Sequence, residues 1–287
     1  MRLLSFIIAA LGLMLWGSCN VINPEEKVPT YVHIDSFRFL PQNYSLYGTS
    51  SHKITSVWAY FDNQLIGSFD LPASFPVIAD KPGQLLVYPG IDFNGLKDLQ
   101  STYPFYTFDS LALTPNPGQI INMDAKTGYT AAAKMLWKED FELGNSFSRF
   151  NGDTGMVKTT ISGNVFEGSG AGYIVLNNKG GYSENIASNS PAFKPTVGQN
   201  IFLELNYKCS IPFQVGLETD FASGQIYQEY VAGINKKDTW NKIYINLNDF
   251  VNAHQGVNFR VILRAGLDNG ESSGWILVDN LKVISYQ

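Results

Sequence analysis

Residues 259–265 place Phe259, Val261, Leu263 and Ala265 on one side of the chain and Arg260 and Arg264 on the other. A two-residue period of this kind fits only an extended strand, with one face in a dry core and the other toward water. Residues 200–210 repeat it, with Ile201, Leu203, Leu205, Tyr207 and Cys209 in phase. Elsewhere strand-length apolar runs alternate with turn signals, and no convincing amphipathic helix interrupts them. The 26 Gly, 15 Tyr, 19 Phe and 5 Trp supply the turn formers and aromatics that β-sheets favour over helical bundles. The chain is therefore expected to be all-β.

Its 287 residues suffice for two domains with separate cores. From 31 to 124, runs at 31–39, 54–61, 65–71, 84–88 and 119–123 lie between turn signals such as Asp62-Asn63, Lys81-Pro82-Gly83 and Pro89-Gly90. About seven short strands in that span suit an N-terminal Ig-like or transthyretin-like β-sandwich. Residues 125–135 are small and polar and are expected to be a linker, possible as a short helical turn. Residues 136–287 form the second domain, with strands expected at 157–161, 172–176, 200–210, 213–218, 240–247, 259–265 and 275–284.

Two resemblances attach to these segments. Residues 57–67, with Leu71-Pro72, Tyr88-Pro89-Gly90 and Tyr103-Pro104-Phe105-Tyr106, resemble modules of Bacteroidota surface lipoproteins. In the second half, Phe141-Glu142, the run Tyr173-Ile174-Val175-Leu176, Thr239-Trp240 and the closing 275–283 resemble jelly-roll carbohydrate-binding modules of the galactose-binding-like kind. That likeness implies a jelly-roll β-sandwich, and more loosely a non-catalytic polysaccharide-binding role. The same fold also serves as a spacer or a protein-docking domain.

The N-terminus carries a different signal. Met1-Arg2 precedes an apolar stretch from Leu3 to Trp16, and Gly17-Ser18-Cys19 follows. The stretch is short for a bilayer span and right for an export signal. Its end resembles a lipobox, which implies cleavage after residue 18 and acylation of Cys19. Residues 1–18 are expected as a lipoprotein signal peptide and 19–30 as a polar tether, holding an outer membrane lipoprotein on the periplasmic or cell-surface face. Ordinary secretion and an uncleaved anchor are the alternatives. Cys209 is then left unpaired and reads as a small buried hydrophobe.

Candidate sites are few. Asp279 shares strand parity with Trp275, Leu277, Leu281 and Val283, and a carboxylate on an apolar face needs a partner or a cation. The jelly-roll resemblance implies a structural Ca²⁺ held by Glu142 and Asp279 with backbone carbonyls. A turn-capping Asp279, or one paired with Lys282 or an arginine, is the alternative. Tyr182, Tyr227 and Tyr230 lie in Gly-, Asn- and Gln-rich surroundings and are candidate sugar-stacking rings. The ordinary reading of each is a sheet or edge residue, and Trp240 and Trp275 read as core.

The function classes narrow by exclusion. A net charge of −5 without a basic run makes nucleic acid a poor partner. The three histidines lack zinc spacing, Gly168-Ser169-Gly170-Ala171-Gly172 lacks the phosphate-loop ending, and Glu218-Thr219-Asp220 lacks the third acid of a jelly-roll glycosidase strand. No catalytic residue is expected. The reading is a membrane-anchored lipoprotein binding a polysaccharide, with a structural or adhesive lipoprotein binding an envelope protein as the alternative.

Overall fold

The computed structural model describes residues 26–40, 44–178, 181–268 and 270–286. Cys19, the expected signal peptide 1–18 and most of the tether lie outside the described residues. Among those described, no helix is long and apolar enough to cross a membrane.

The N-terminal half runs β1 (Thr30–Ile34), β2 (Arg38–Phe39), α1 (Tyr44–Tyr47), β3 (Ser56–Phe61), β4 (Gln64–Asp70), β5 (Ala73–Val77), β6 (Gly83–Asp92), β7 (Gln100–Thr102), β8 (Asp109–Leu113), β9 (Ile120–Asn122) and β10 (Lys126–Thr127). A three-stranded sheet β5-β1-β9 packs on a five-stranded sheet built around β3 and β6. Val32, Ile34, Val57, Ala59, Phe75, Leu85 and Val87 fill the space between them. The Asp62-Asn63 turn joins β3 to β4 as expected, with both residues at positive φ (47° and 66°) that Asn and Asp tolerate. Pro89-Gly90 does not end a strand. Both residues sit within β6, where β8 pairs with Gly83–Val87 and β7 pairs with Gly90–Asp92. Pro89 falls in the gap between these two partners, where no ladder N–H is required.

The second half continues with β11 (Ala133–Glu139), β12 (Ser148–Gly152), β13 (Val157–Thr159), β14 (Ala171–Leu176), β15 (Tyr182–Ile186), β16 (Ile201–Cys209), β17 (Phe213–Asp220), β18 (Ile226–Ile234), β19 (Lys237–Asn246), α2 (Asn248–His254), β20 (Asn258–Gly266) and β21 (Gly274–Tyr286). The chain passes back and forth between two sheets. One, the inner sheet, is ordered β13-β14-β21-β16-β19, with β11 also on β21; the other, the outer sheet, is β12-β15-β20-β17-β18. This is a jelly-roll β-sandwich, and the whole protein is all-β. The alternating residues of 200–210 and 259–265 meet in one core, where Leu203, Leu205, Val261 and Leu263 are fully buried. Cys209 is buried and free, and burial raises its thiol pKa.

The segment 125–135 carries the chain from one half to the other as two extended stretches, β10 and the start of β11, with a single turn at 131–132 closed by Ala133 N donating to Thr130 O (3.1 Å). β10 pairs with β2 and β11 pairs with β21, and Ala125, Thr127, Tyr129 and Ala133 are all buried. The two halves share a third core of Tyr47, Ile91, Tyr103, Phe105, Tyr106, Tyr129, Phe202, Tyr244 and Ile284. Phe202, Tyr244 and Ile284 sit on the inner-sheet face that alternation assigns to solvent. The N-terminal half covers that face, which is why it carries large apolar groups.

A fully buried ion cluster lies in this shared core. Glu204 accepts hydrogen bonds from Tyr103 Oη (2.9 Å to Oε1) and Tyr129 Oη (3.0 and 2.9 Å). Lys242 Nζ lies 2.7 Å from Oε2 as an ion contact without an aligned hydrogen bond, and Lys282 Nζ lies 3.6 Å away. Lys282 also donates to the Tyr47 carbonyl (3.2 Å) and stands 4.7 Å from the centre of the Tyr129 ring. Burial alone would raise the Glu204 pKa, but Lys242, Lys282 and Tyr103 together hold it below the ordinary value.

Burial pushes the Lys282 ammonium down to about 7, against the attraction of Glu204. Below pH 7 both folded and unfolded chains carry this proton, and the burial penalty is felt in full. Between pH 7 and the ordinary lysine value of 10.5, the folded chain sheds the proton first, so stability rises with pH. Urea denaturation from pH 7 to 9.5 is expected to show stability rising by up to about 1.4 kcal/mol per pH unit. Lys282→Met is expected to flatten that rise.

Candidate functional site

With the inner sheet covered by the N-terminal half, the outward face of the outer sheet is the jelly roll's open face. β15, β20, β17 and β18 lie side by side there, and their outward positions converge by register. Glu184 faces Arg264, which faces Gln214; Tyr182 stands opposite Gly266; Glu218 lies between Arg260 and Gln228. The outward face is therefore polar, while Phe213, Val215, Leu217, Val261 and Leu263 point into the core.

These side chains form one bonded network. Arg264 Nε donates to Gln214 Oε1 (2.6 Å), and its guanidinium lies 4.0 Å from the centre of the Tyr230 ring. Tyr230 Oη donates to Glu184, itself 8% exposed, and burial together with that carboxylate raises the Tyr230 pKa. Burial also raises the Tyr182 pKa, opposed by a hydrogen bond from Arg264. A bulge between Val215 and Gly216 brings the β18 backbone so close that a Cβ on Gly216 would meet the Glu229 carbonyl at 2.0 Å. Only glycine fits there, and the bulge helps aim Tyr230 across the sheet.

At one end of this face is a hollow of about 490 Å³, lined among others by Tyr182, Gln214, Asn235, Arg264 and Asp268. It offers a half-exposed aromatic ring, amide groups, a guanidinium fixed in place and a carboxylate. That combination suits a ligand with an apolar face and several hydroxyls.

Of the three tyrosines singled out by sequence, Tyr182 and Tyr230 meet on this face through Arg264. Tyr230 is not a free platform, because Arg264 covers its ring and Glu184 holds its hydroxyl. Tyr227 is elsewhere. It pairs with Thr219 on the opposite side of β18, and its ring stacks on His254 at 4.3 Å. Trp240 and Trp275 are half-buried outside the core. Trp240 leans on Phe166, and Lys208 Nζ stands 5.7 Å from the Trp275 ring. Glu184, Gln214 and Arg264 carried no motif in the sequence; the parity of Arg264 in 259–265 was the one visible sign.

Among the described residues, the face holds no closely paired carboxylates free of a cation. Glu184 and Glu218 are two strands and four register positions apart, on the order of 16 Å, beyond the roughly 5–10 Å that glycoside cleavage uses. Glu218 and Asp220 both contact Arg260, at 3.5 and 3.1 Å.

The expected cation pair lies at the other side of the sandwich. Asp279 is fully buried, but not by the parity assigned from sequence. Asn280 at φ 49° introduces an irregularity in β21, so Ile276 and Val278 face the core before it and Leu281 and Val283 after it. Asp279 instead lies under residues 166–167 and accepts from the amides of Asn280 (2.7 Å), Phe166 (3.2 Å) and Glu167 (3.3 Å). Burial pushes it up to about 7, with the negative charge of Glu142 adding to the rise. Glu142 accepts from Ser169 N (2.8 and 3.1 Å) and Ser169 Oγ (2.6 Å), and that hydroxyl holds its pKa below the ordinary value. Both carboxylates thus accept from donors of the segment 166–169, and Asp279 accepts from its neighbour Asn280 as well. Among the described residues, no three His, Cys, Asp or Glu side chains are grouped to hold a metal. The donor set expected for Ca²⁺ at Glu142 and Asp279 does not fit that ion, which needs six to eight oxygens turned toward it.

No protein-family model and no curated protein matches the chain. Solved structures do resemble about half of it. The CBM22-1 xylan-binding domain from Paenibacillus barcinonensis Xyn10C is 12% identical over 55% of this chain and 98% of its own, with a TM-score of 0.39. TmCBM61 in complex with β-1,4-galactotriose is 13% identical over 50% and 92%, with a TM-score of 0.33. The family 30 carbohydrate-binding module of a Clostridium thermocellum cellulosomal cellulase is 12% identical over 53% and 96%, with a TM-score of 0.40.

Removing the Tyr230 hydroxyl should leave the sheltered Glu184 carboxylate without that donor. Tyr230→Phe is expected to lower unfolding stability by about 1–3 kcal/mol in urea denaturation, with the fold retained in circular dichroism.

Proposed function

We propose that this chain is a non-catalytic polysaccharide-binding lipoprotein of the Bacteroidota type, with the outer-sheet face of its jelly roll as the binding surface. The observation that carries this reading is the hollow beside Tyr182, where an aromatic ring stands next to the Arg264–Gln214 pair. A sugar ring stacked on Tyr182 would place its hydroxyls within reach of Arg264, Gln214, Asn235 and Asp268. Prior bonding of Arg264 to Gln214 and Tyr230 supports the reading, because a fixed guanidinium loses little freedom when a ligand arrives. The N-terminal half, in the same proposal an Ig-like sandwich, holds this face away from the membrane.

A glycan array spanning plant, host and microbial polysaccharides tests the binding reading. Binding is expected, and on the best ligand Tyr182→Ala and Arg264→Ala are each expected to weaken affinity at least about tenfold, a loss of roughly 1.4 kcal/mol or more. Tyr227→Ala is expected to leave affinity unchanged. Silence across the array would reject the glycan reading and favour an envelope-protein partner.

The anchor rests on the sequence around Cys19. Mass spectrometry of the protein from its native membrane is expected to find residue 19 as the N-terminus with an acylated thiol. An unmodified Cys19 would remove the lipoprotein reading.

A further inference from the structure

The Glu142–Asp279 end of the jelly roll holds a positive charge supplied by the chain itself. Lys158, on the edge strand β13, reaches back so that its Nζ donates to the Glu142 carbonyl at 2.8 Å. The Phe141 carbonyl is turned to the same place. A Cβ built on Gly170 would meet Phe141 O at 2.5 Å, Lys158 Cε at 2.4 Å and Lys158 Nζ at 3.1 Å. Glycine at 170 leaves the slot through which the lysine stem passes. Phe141 adopts φ 56°, a left-handed conformation unusual for an aromatic residue, and the strain is worth keeping only if the redirected backbone is held.

We propose that the Lys158 ammonium is the resident cation of this end of the sandwich. It holds the Glu142 carbonyl, with the Phe141 carbonyl turned to the same slot, so the fold requires no calcium. A divalent ion brought to the same oxygens would meet a fixed like charge at hydrogen-bond range, which disfavours its entry. The remaining anions nearby are already engaged. Asp279 is held by three backbone amides, Glu142 by Ser169, and Asp140 by Lys138 at 2.8 Å. This inference is independent of the glycan reading.

Thermal unfolding of the full chain in detergent, with EDTA and then with millimolar CaCl₂, is the test. The unfolding temperature is expected to agree within about one degree between the two conditions. Calorimetric titration with CaCl₂ is expected to show no binding. Lys158→Met is expected to lower the unfolding temperature by on the order of 5 °C, with Lys158→Arg recovering part of the loss. EDTA destabilisation of the unmodified chain that calcium reverses would overturn the proposal, as would an unchanged unfolding temperature for Lys158→Met. Should Lys158→Met not fold, the comparison of EDTA and CaCl₂ on the unmodified chain decides alone.

Discussion

The shared aromatic core around the buried Glu204 carboxylate decides which surfaces of this protein are available. Glu204 lies at the centre of that core, bonded by the Tyr103 hydroxyl of the N-terminal half and the Tyr129 hydroxyl of the connecting segment, and facing two lysines of the jelly roll. Removing such a charge from water carries a penalty of several kcal/mol unless every partner is present. The partners come from both halves, so separation would expose Phe202, Tyr244, Ile284 and the facing aromatic rings to water and would take the Tyr103 hydroxyl from Glu204. The inner sheet is closed by that shared core, and the outward face of the outer sheet is the one left open to solvent.

The two faces handle polarity in opposite ways. On the closed face the polar groups are sunk among tyrosines, and burial raises the pKa of Tyr103, Tyr106 and Tyr129 well above the ordinary value. Their hydroxyls stay protonated as donors. On the open face Glu184, Gln214, Tyr230 and Arg264 bond to one another and remain beside solvent. A surface of that kind is rigid before a ligand arrives and still has unused hydrogen-bonding capacity. In the proposed function, that rigidity and spare capacity would serve recognition of a hydroxylated polymer.

Much of the fold was legible because alternation is a local rule. Phe259, Val261, Leu263 and Ala265 went inward as their spacing requires, and Arg264 went outward to the face where the candidate site lies. The rule failed where a backbone irregularity or a neighbouring domain intervened. One residue at φ 49°, Asn280, reversed the phase expected for Trp275, Leu277 and Asp279. Glu204, Lys242 and Lys282 occupy outward positions that a single sheet would give to water, and no local pattern announces that a second domain covers them. Phe202, Tyr244 and Ile284 on the same positions were the available hint. Tyr182 and Tyr230 were found by composition, but their contact through Arg264 depends on register between β15, β20, β17 and β18, which one sequence does not disclose. Tyr227, three residues from Tyr230, went to the other side of β18.

Coupling of the two halves through the shared core around Glu204 underlies the proposed binding face, and native-state hydrogen exchange of the full chain tests it most directly. The slowest amides of β6, in the N-terminal half, and of β16 and β19, in the jelly roll, should open with the same free energy, that of global unfolding. Exchange of the β6 amides at a clearly lower free energy, with β16 and β19 still protected, would show that the halves part independently and would contradict the account.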